Sequence, residues 1–170
     1  MVTSMLRLRR VQPADGPLLK KVRLAALRDA PDAFGSTLAD EADRSDEEWA
    51  DWAASASTGS GRITVLAERS RDVVGLAGGY REEPSPTTVE LVSMWVSPEA
   101  RRAGVGRALV NAIIDWARFT EGTEVGLWVT KANVAAEHLY GAIGFSASGQ
   151  TQRLPSNPEL DEVRMVIHLP

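Results

Sequence analysis

A mixed α/β fold, a sheet with helices packed on it, is predicted by three observations. The predicted elements follow the order β-α-α-β-β-β-α-β-α-β-β. Gly104 to Phe119 is the most strongly periodic helix, with Val105, Leu109, Ala112, Ile113 and Trp116 at core spacing. The segments on either side of it, Val89 to Val96 and Val125 to Val129, read as strands of a buried sheet. No internal repeat and no linker long enough to divide domains interrupts this order, so residues 1–170 read as a single domain.

Each element has a local reason. Leu6, Leu8 and Val11 against Arg7, Arg9 and Arg10 read as a short strand, ended by the turn-prone Pro13-Ala14-Asp15-Gly16. Leu18, Leu19, Val22, Ala25, Ala26 and Leu27 form a helical stripe that stops before Pro31. Residues 32 to 44 read as irregular and acidic. Ser45 with Glu48 is a capping box, which starts a helix carrying Trp49 and Trp52 on one face. Ser55 to Gly61 reads as a loop. Ile63 to Ala67 and Val73 to Tyr80 form a predicted hairpin, broken by Glu83-Pro84-Ser85-Pro86. The next strand, Val89 to Val96, is stopped by Pro98. A helix is predicted from Asn133 to Ile143, and Phe145 to Gln150 and Val163 to Leu169 close the chain as two strands around a polar loop.

Composition removes several function classes. With no cysteine there is no disulfide scaffold, no thiolate-ligated metal and no thiol acyl-enzyme. Two histidines thirty residues apart, His138 and His168, do not make a histidine-rich metal site, so no metal is expected. A formal charge of −4, from 19 basic and 23 acidic residues, argues against a nucleic-acid partner. No stretch approaches the roughly 18 apolar residues of a membrane span, and Met1 to Arg10 has no secretory signal, so no membrane and a cytoplasmic location are expected.

The chemistry concentrates where strand Leu91 to Val96 passes through an arginine-bearing turn into the Gly104 helix. Gly104 and Gly106 let backbone approach a ligand, because no side chain intervenes. The helix start presents unpaired N–H groups and the positive end of a dipole, and Arg101, Arg102 and Arg107 add charge, so a pyrophosphate is the natural guest. A glycine-bearing turn with solvated arginines is the plainer alternative. Two other phosphate motifs fail: after Gly106 come Arg107, Ala108 and Leu109, which is neither a P-loop nor a dinucleotide fingerprint.

Arg101-Arg102-Ala103-Gly104-Val105-Gly106 resembles the Q/R-x-x-G-x-G/A signature of the GCN5-related N-acetyltransferase (GNAT) superfamily. Met94-Trp95-Val96-Ser97-Pro98 resembles that family's strand end, and Asn133, Leu139-Tyr140 and Gly144-Phe145 resemble its downstream pattern. The resemblance implies a GNAT-like acyl-CoA N-acyltransferase fold: a mostly antiparallel twisted sheet whose central parallel pair splays apart. It implies acetyl-CoA as co-substrate, with pyrophosphate on the backbone amides of Arg102, Ala103, Gly104, Val105, Gly106 and Arg107, and Arg101 at the start of the loop. It also implies a pantetheine arm along Met94 and Val96, and an N–H near Trp95 and Val96 facing the thioester carbonyl. Asn133 is implied to contact the cofactor while also capping its helix.

The resemblance makes Tyr140, seven residues after Asn133, the general acid. A phenol with a pKa near ~10 stays protonated and can donate to a departing thiolate; the plain reading is a packed ring. Glu90 is the candidate base. It shares strand parity with Val92, Met94 and Val96, on a face where partial burial would raise its pKa, unless a bulge changes the parity. Trp128 stands where the branch acetylating ribosomal-protein N-termini carries a glutamate, which suggests an aromatic wall for the acceptor. Residues 29 to 51 hold nine acids and one arginine, a solvated face or a lure for cationic amines. The expected reaction is direct acetyl transfer to a small-molecule amine or peptide acceptor. Another acyl group, an alcohol acceptor or a silent acyl-CoA sensor are the alternatives. A homodimer is implied mainly by the resemblance, since many members of that family pair this region between subunits, and the C-terminal strands around Phe145 and Val163 leave an edge that must be paired or covered.

Overall fold

Seven strands join into one sheet. In the computed structural model, which describes residues 5–82 and 85–170, they are β1 (Arg7–Arg10), β2 (Arg62–Arg69), β3 (Asp72–Glu82), β4 (Ser85–Val96), β5 (Glu124–Thr130), β6 (Ser146–Leu154) and β7 (Asn157–His168). The helices are α1 (Gly16–Asp29), α2 (Leu38–Ala42), α3 (Asp46–Ser57), α4 (Val105–Phe119) and α5 (Val134–Ile143). The sheet order is β1-β2-β3-β4-β5-β7-β6. Every neighbouring pair is antiparallel except β4 and β5, which run parallel and are in register only from Thr88/Glu124 to Glu90/Gly126. Past that point the two strands part.

The sheet is covered on both faces. Leu109, Val110, Ile113 and Ile114 of α4 pack with Val65, Val89 and Leu91, and Tyr140 of α5 joins this core. Leu19, Val22 and Leu27 of α1 and Trp49 of α3 pack with Leu66, Leu76 and Trp95. Successive residues of β2 thus feed opposite cores, as the two-residue period of a strand requires. Ser45 caps α3 as expected: its Oγ accepts the Glu48 N–H at 3.2 Å, and the Ser45 N–H donates to Glu48 Oε2 at 2.7 Å.

Four differences from the sequence reading matter. Within residues 32–44 lies the short α2, started by Thr37, whose Oγ1 accepts the Asp40 N–H at 3.2 Å. The C-terminal polar loop is instead strand: β6 and β7 reach inward to Leu154 and Asn157. Apart from Leu154, β6 is exposed along its length, so it shows no apolar alternation to read. Val163 is interior to the sheet, paired with Val129 of β5, and the free edge belongs to β6. Finally, Ser93 takes a left-handed φ of 56°, and the β3 register shifts between Gly78↔Val92 and Leu76↔Trp95. This bulge flips the parity of β4. Met94 and Val96 therefore pack toward the α4 core, while Trp95 joins the α1 core, and Glu90 does not share a face with Met94 and Val96. Of the predicted break at Glu83 to Pro86, Glu83 and Pro84 lie outside the described residues, and Ser85 and Pro86 already belong to β4.

Candidate active site

Where β4 and β5 part, a cleft of about 740 Å³ opens. It takes walls from both sides of the sheet: Asn133 and Tyr140 around α5, Arg23 and Phe34 around α1, and Gln152 and Glu162 from β6 and β7. The bulge is held from the α1 side, because Arg23 Nη1 donates to Ser93 Oγ at 3.2 Å. Arg23 is buried over the Phe34 ring, also reaches Ser36 and Glu41, and is pulled below its ordinary pKa by desolvation.

The end of β4 shapes the gap. Ser97 N–H donates to Val74 O at 2.9 Å, and Trp95 pairs with Leu76, so strand alternation turns the backbone groups of Met94 and Val96 away from β3 and toward β5. The Val96 carbonyl is occupied: Arg101 Nε donates to it at 3.0 Å, while Arg101 Nη2 pairs with Asp29. Asp29 also accepts from Trp95 Nε1 at 2.9 Å, tying the end of α1 to this corner. The Val96 N–H therefore remains for the gap, and its carbonyl already accepts one bond from Arg101.

The start of α4 is an exposed donor cluster. Its first intrahelical bond runs from Ala108 N–H to Gly104 O at 3.0 Å, which leaves the N–H groups of Val105, Gly106 and Arg107 without intrahelical acceptors. Arg102, Ala103 and Arg107 are exposed around it, and Val105 buries its side chain in the core, offering only backbone. Gly104 is needed for its φ of +79°, with open space where a Cβ would stand. Gly106 is small for another reason than expected. A Cβ there would lie 3.1 Å from Leu139 and 3.2 Å from Met94, on the cleft wall rather than among the donors.

Tyr140 and Asn133 reach the cleft from α5. Asn133 caps that helix, its Oδ1 accepting the Ala136 N–H at 3.1 Å. The Tyr140 ring meets Phe145 edge-on at 5.8 Å, and burial pushes the phenol above its ordinary value of 10.0. Its hydroxyl has no hydrogen-bond partner among the described residues and belongs to the cleft lining.

Glu90 lies in the cleft wall but is not open. Both of its carboxylate oxygens accept from Arg164 of β7, Oε2 from Nη1 at 2.7 Å and Oε1 from Nη2. Glu90 is 3% exposed and Arg164 6%. The guanidinium reaches across β5 over Gly126, where any Cβ would overlap it, and lies 5.4 Å from the Trp128 ring. Trp128 lines the cleft. Sequence reading missed Arg164, Gly126, Glu162 and Arg23. Glu162 and Arg164 flanking Val163 were a legible sign, two charges on one strand face. Of the nine acids between residues 29 and 51, Glu41 is buried against Arg23 and Arg44. His138 is exposed and Trp49 stacks on Trp52 at 5.4 Å, both outside the cleft.

A family model described as Acetyltransferase (GNAT) family matches residues 24–145. The chain belongs to the GNAT family. It is 32% identical over 145 residues to the mycothiol acetyltransferase of Thermobispora bispora, covering 82% of this chain and 46% of that one. The chain spans about half the length of the curated relatives it matches. A GNAT-family acetyltransferase from Streptococcus pneumoniae has the same fold at a TM-score of 0.80 and 22% identity, covering 97% of this chain and all of that one (100%). A putative acetyltransferase from Salmonella typhimurium, solved with its cofactor acetyl-CoA, superposes at a TM-score of 0.77 with 21% identity, covering 98% of this chain and 95% of that one. This GNAT chain has residues that fit acetyl-CoA: free amides and exposed arginines at the start of α4 suit a pyrophosphate, and the parted strands leave room for an extended arm. No helix among the described residues is long and apolar enough to cross a membrane.

Proposed function

We propose that this chain transfers the acetyl group of acetyl-CoA directly to an amine within a ternary complex. The observation that carries the reading is the gap between β4 and β5, flanked on one side by α4 amides without intrahelical acceptors and lined by Tyr140, whose hydroxyl has no hydrogen-bond partner among the described residues. Acetyl-CoA supplies an activated thioester there. The amides of residues 102–107 hold its phosphates, Arg102 and Arg107 add charge, and Asn133 orients the arm. Met94 and Val96 guide the arm through backbone, and the Val96 N–H donates to the carbonyl that is attacked. Tyr140 protonates the departing sulfur. Glu90 takes part by fixing Arg164 against Trp128, which shapes the acceptor wall. The absence of cysteine agrees with direct transfer. Release of free CoA thiol, monitored against small amines, antibiotics and peptides, tests the reading. Saturable acetyl-CoA binding with no thiol release from any acceptor would leave an acyl-CoA sensor in its place.

Gly106→Val gives the cofactor test. Its methyls would enter the wall formed by Met94 and Leu139, so acetyl-CoA affinity should fall at least about tenfold, with an overpacking cost of roughly 1–3 kcal/mol. Calorimetry on the folded variant with unchanged affinity would remove the arm from this wall. Pairing of β6 edges between two copies is the proposed dimer contact. Light scattering should then give twice the 18.4 kDa chain mass, and a mass of one chain throughout the micromolar range excludes it.

A further inference from the structure

Among the described residues, four charged side chains line the cleft: Arg23, Glu90, Arg101 and Glu162. Three have opposite-charge partners within the protein, Arg23 with Glu41, Glu90 with Arg164, and Arg101 with Asp29. Glu162 is the exception. Only 6% of it is exposed, and among the described residues its one hydrogen-bond partner is a neutral amide, Gln152 Nε2, which donates to Oε2 at 2.8 Å. Oε1 has no protein partner among the described residues and is not sealed off, so it opens on the cleft.

A carboxylate withdrawn from water with only one neutral donor is costly, and a cation brought to it recovers much of that cost. The fold also sets the carboxylate beside the chemistry. Glu162 pairs in register with Thr130, the last residue of β5, where the gap from β4 is open and three residues before Asn133. The geometry points to Glu162, with Gln152 as its orienter, as the seat for the primary ammonium group of the acceptor and as the group that takes its proton. The ligand class is a compact primary ammonium compound, because the same cleft must also admit the arm of acetyl-CoA. This rests on the acetyl-transfer reading only for the proton step.

The step balances. Glu162 takes one proton from the ammonium, and the freed nitrogen lone pair forms the C–N bond at the thioester carbon. The C–S bond breaks, its electron pair leaves with sulfur, and sulfur takes the Tyr140 proton. A second nitrogen proton restores the phenol, and Glu162 returns its own to water. The sum is ammonium plus acetyl-CoA giving amide, CoA thiol and one proton.

The test compares charged and neutral probes on CoA-saturated protein by calorimetry. The probes are propylammonium, 2-phenylethylammonium and glycinamide, each against the matching alcohol, propanol, 2-phenylethanol and glycolamide. The wild type should bind at least one ammonium about 10–100-fold more tightly than its alcohol, as a charge-assisted contact does. Glu162→Gln, which keeps the shape, should erase that preference and leave CoA affinity unchanged. No preference in the wild type, or a preference that survives in Glu162→Gln, overturns the seat. The wild-type comparison stands even if the variant does not fold. Thiol release separates the two readings: Glu162-dependent ammonium binding without thiol release sinks acetyl transfer and keeps the seat, whereas thiol release with the Michaelis constant for the amine unaltered in Glu162→Gln does the reverse.

Discussion

Tyr140→Phe is expected to keep acetyl-CoA affinity and lower turnover by roughly 10²–10⁴, the usual range for loss of a general acid. The substitution removes one oxygen and keeps the ring, so the edge contact with Phe145 and the α5 packing stay in place. Burial raises the phenol above 10.0, so Tyr140 is protonated at every ordinary working pH. A group raised in this way loses its folded-state advantage only when pH climbs through its elevated value, far above that range. The rate loss should therefore be uniform with pH, and no limb of the profile should vanish. A thiol of pKa near ~8.5 leaves tolerably well unaided, which sets the lower end of the effect. Unchanged turnover with a verified acceptor would take Tyr140 out of the mechanism.

Arg164→Met should destabilise the fold by about 3–5 kcal/mol, because it leaves Glu90 as an unpaired carboxylate in the interior. Denaturant unfolding reads the loss. The double variant Glu90→Leu with Arg164→Met should recover most of it, since apolar replacement of both partners of a buried pair is often neutral or better. A single-variant loss below about 1 kcal/mol, the worth of an exposed pair, would mean that the pair is solvated. Glu90→Gln probes function at the same place. It keeps an acceptor for Arg164 but cannot take a proton. Both Glu90 oxygens already accept from the guanidinium, so turnover should fall evenly across pH. Selective loss of the acidic limb would instead make Glu90 the base.

What was legible in the sequence was whatever a short stretch of chain decides by itself. The α4 stripe, the Ser45–Glu48 capping box and Asn133 as the α5 cap depend on contacts within a few residues, and all three stand in the structure. The donors of the Arg101 to Gly106 turn were legible for the same reason, since free amides at a helix start are local chemistry, whereas the left-handed backbone that calls for glycine at 104 was not read. The first half of β6 was read as strand, but its inner half, Thr151 to Leu154, was not, because an edge strand exposed almost along its whole length carries no apolar period.

The cleft wall around Glu90 and Glu162 needed the tertiary structure. A one-residue bulge at Ser93, held by Arg23 from another element, turned Glu90 away from the face of Met94 and Val96. Arg164, 74 positions beyond Glu90, closed on it across Gly126, and Glu162 reached the same cleft without a cationic partner among the described residues. The sequence by itself determined the fold class, the family signature and the cluster of backbone amides and arginines at the start of α4, since spacing within single elements encodes them. Only the tertiary structure decided which carboxylate is sealed and which is open, because pairing of buried charges depends on side chains that meet across strands, and no local pattern records that meeting.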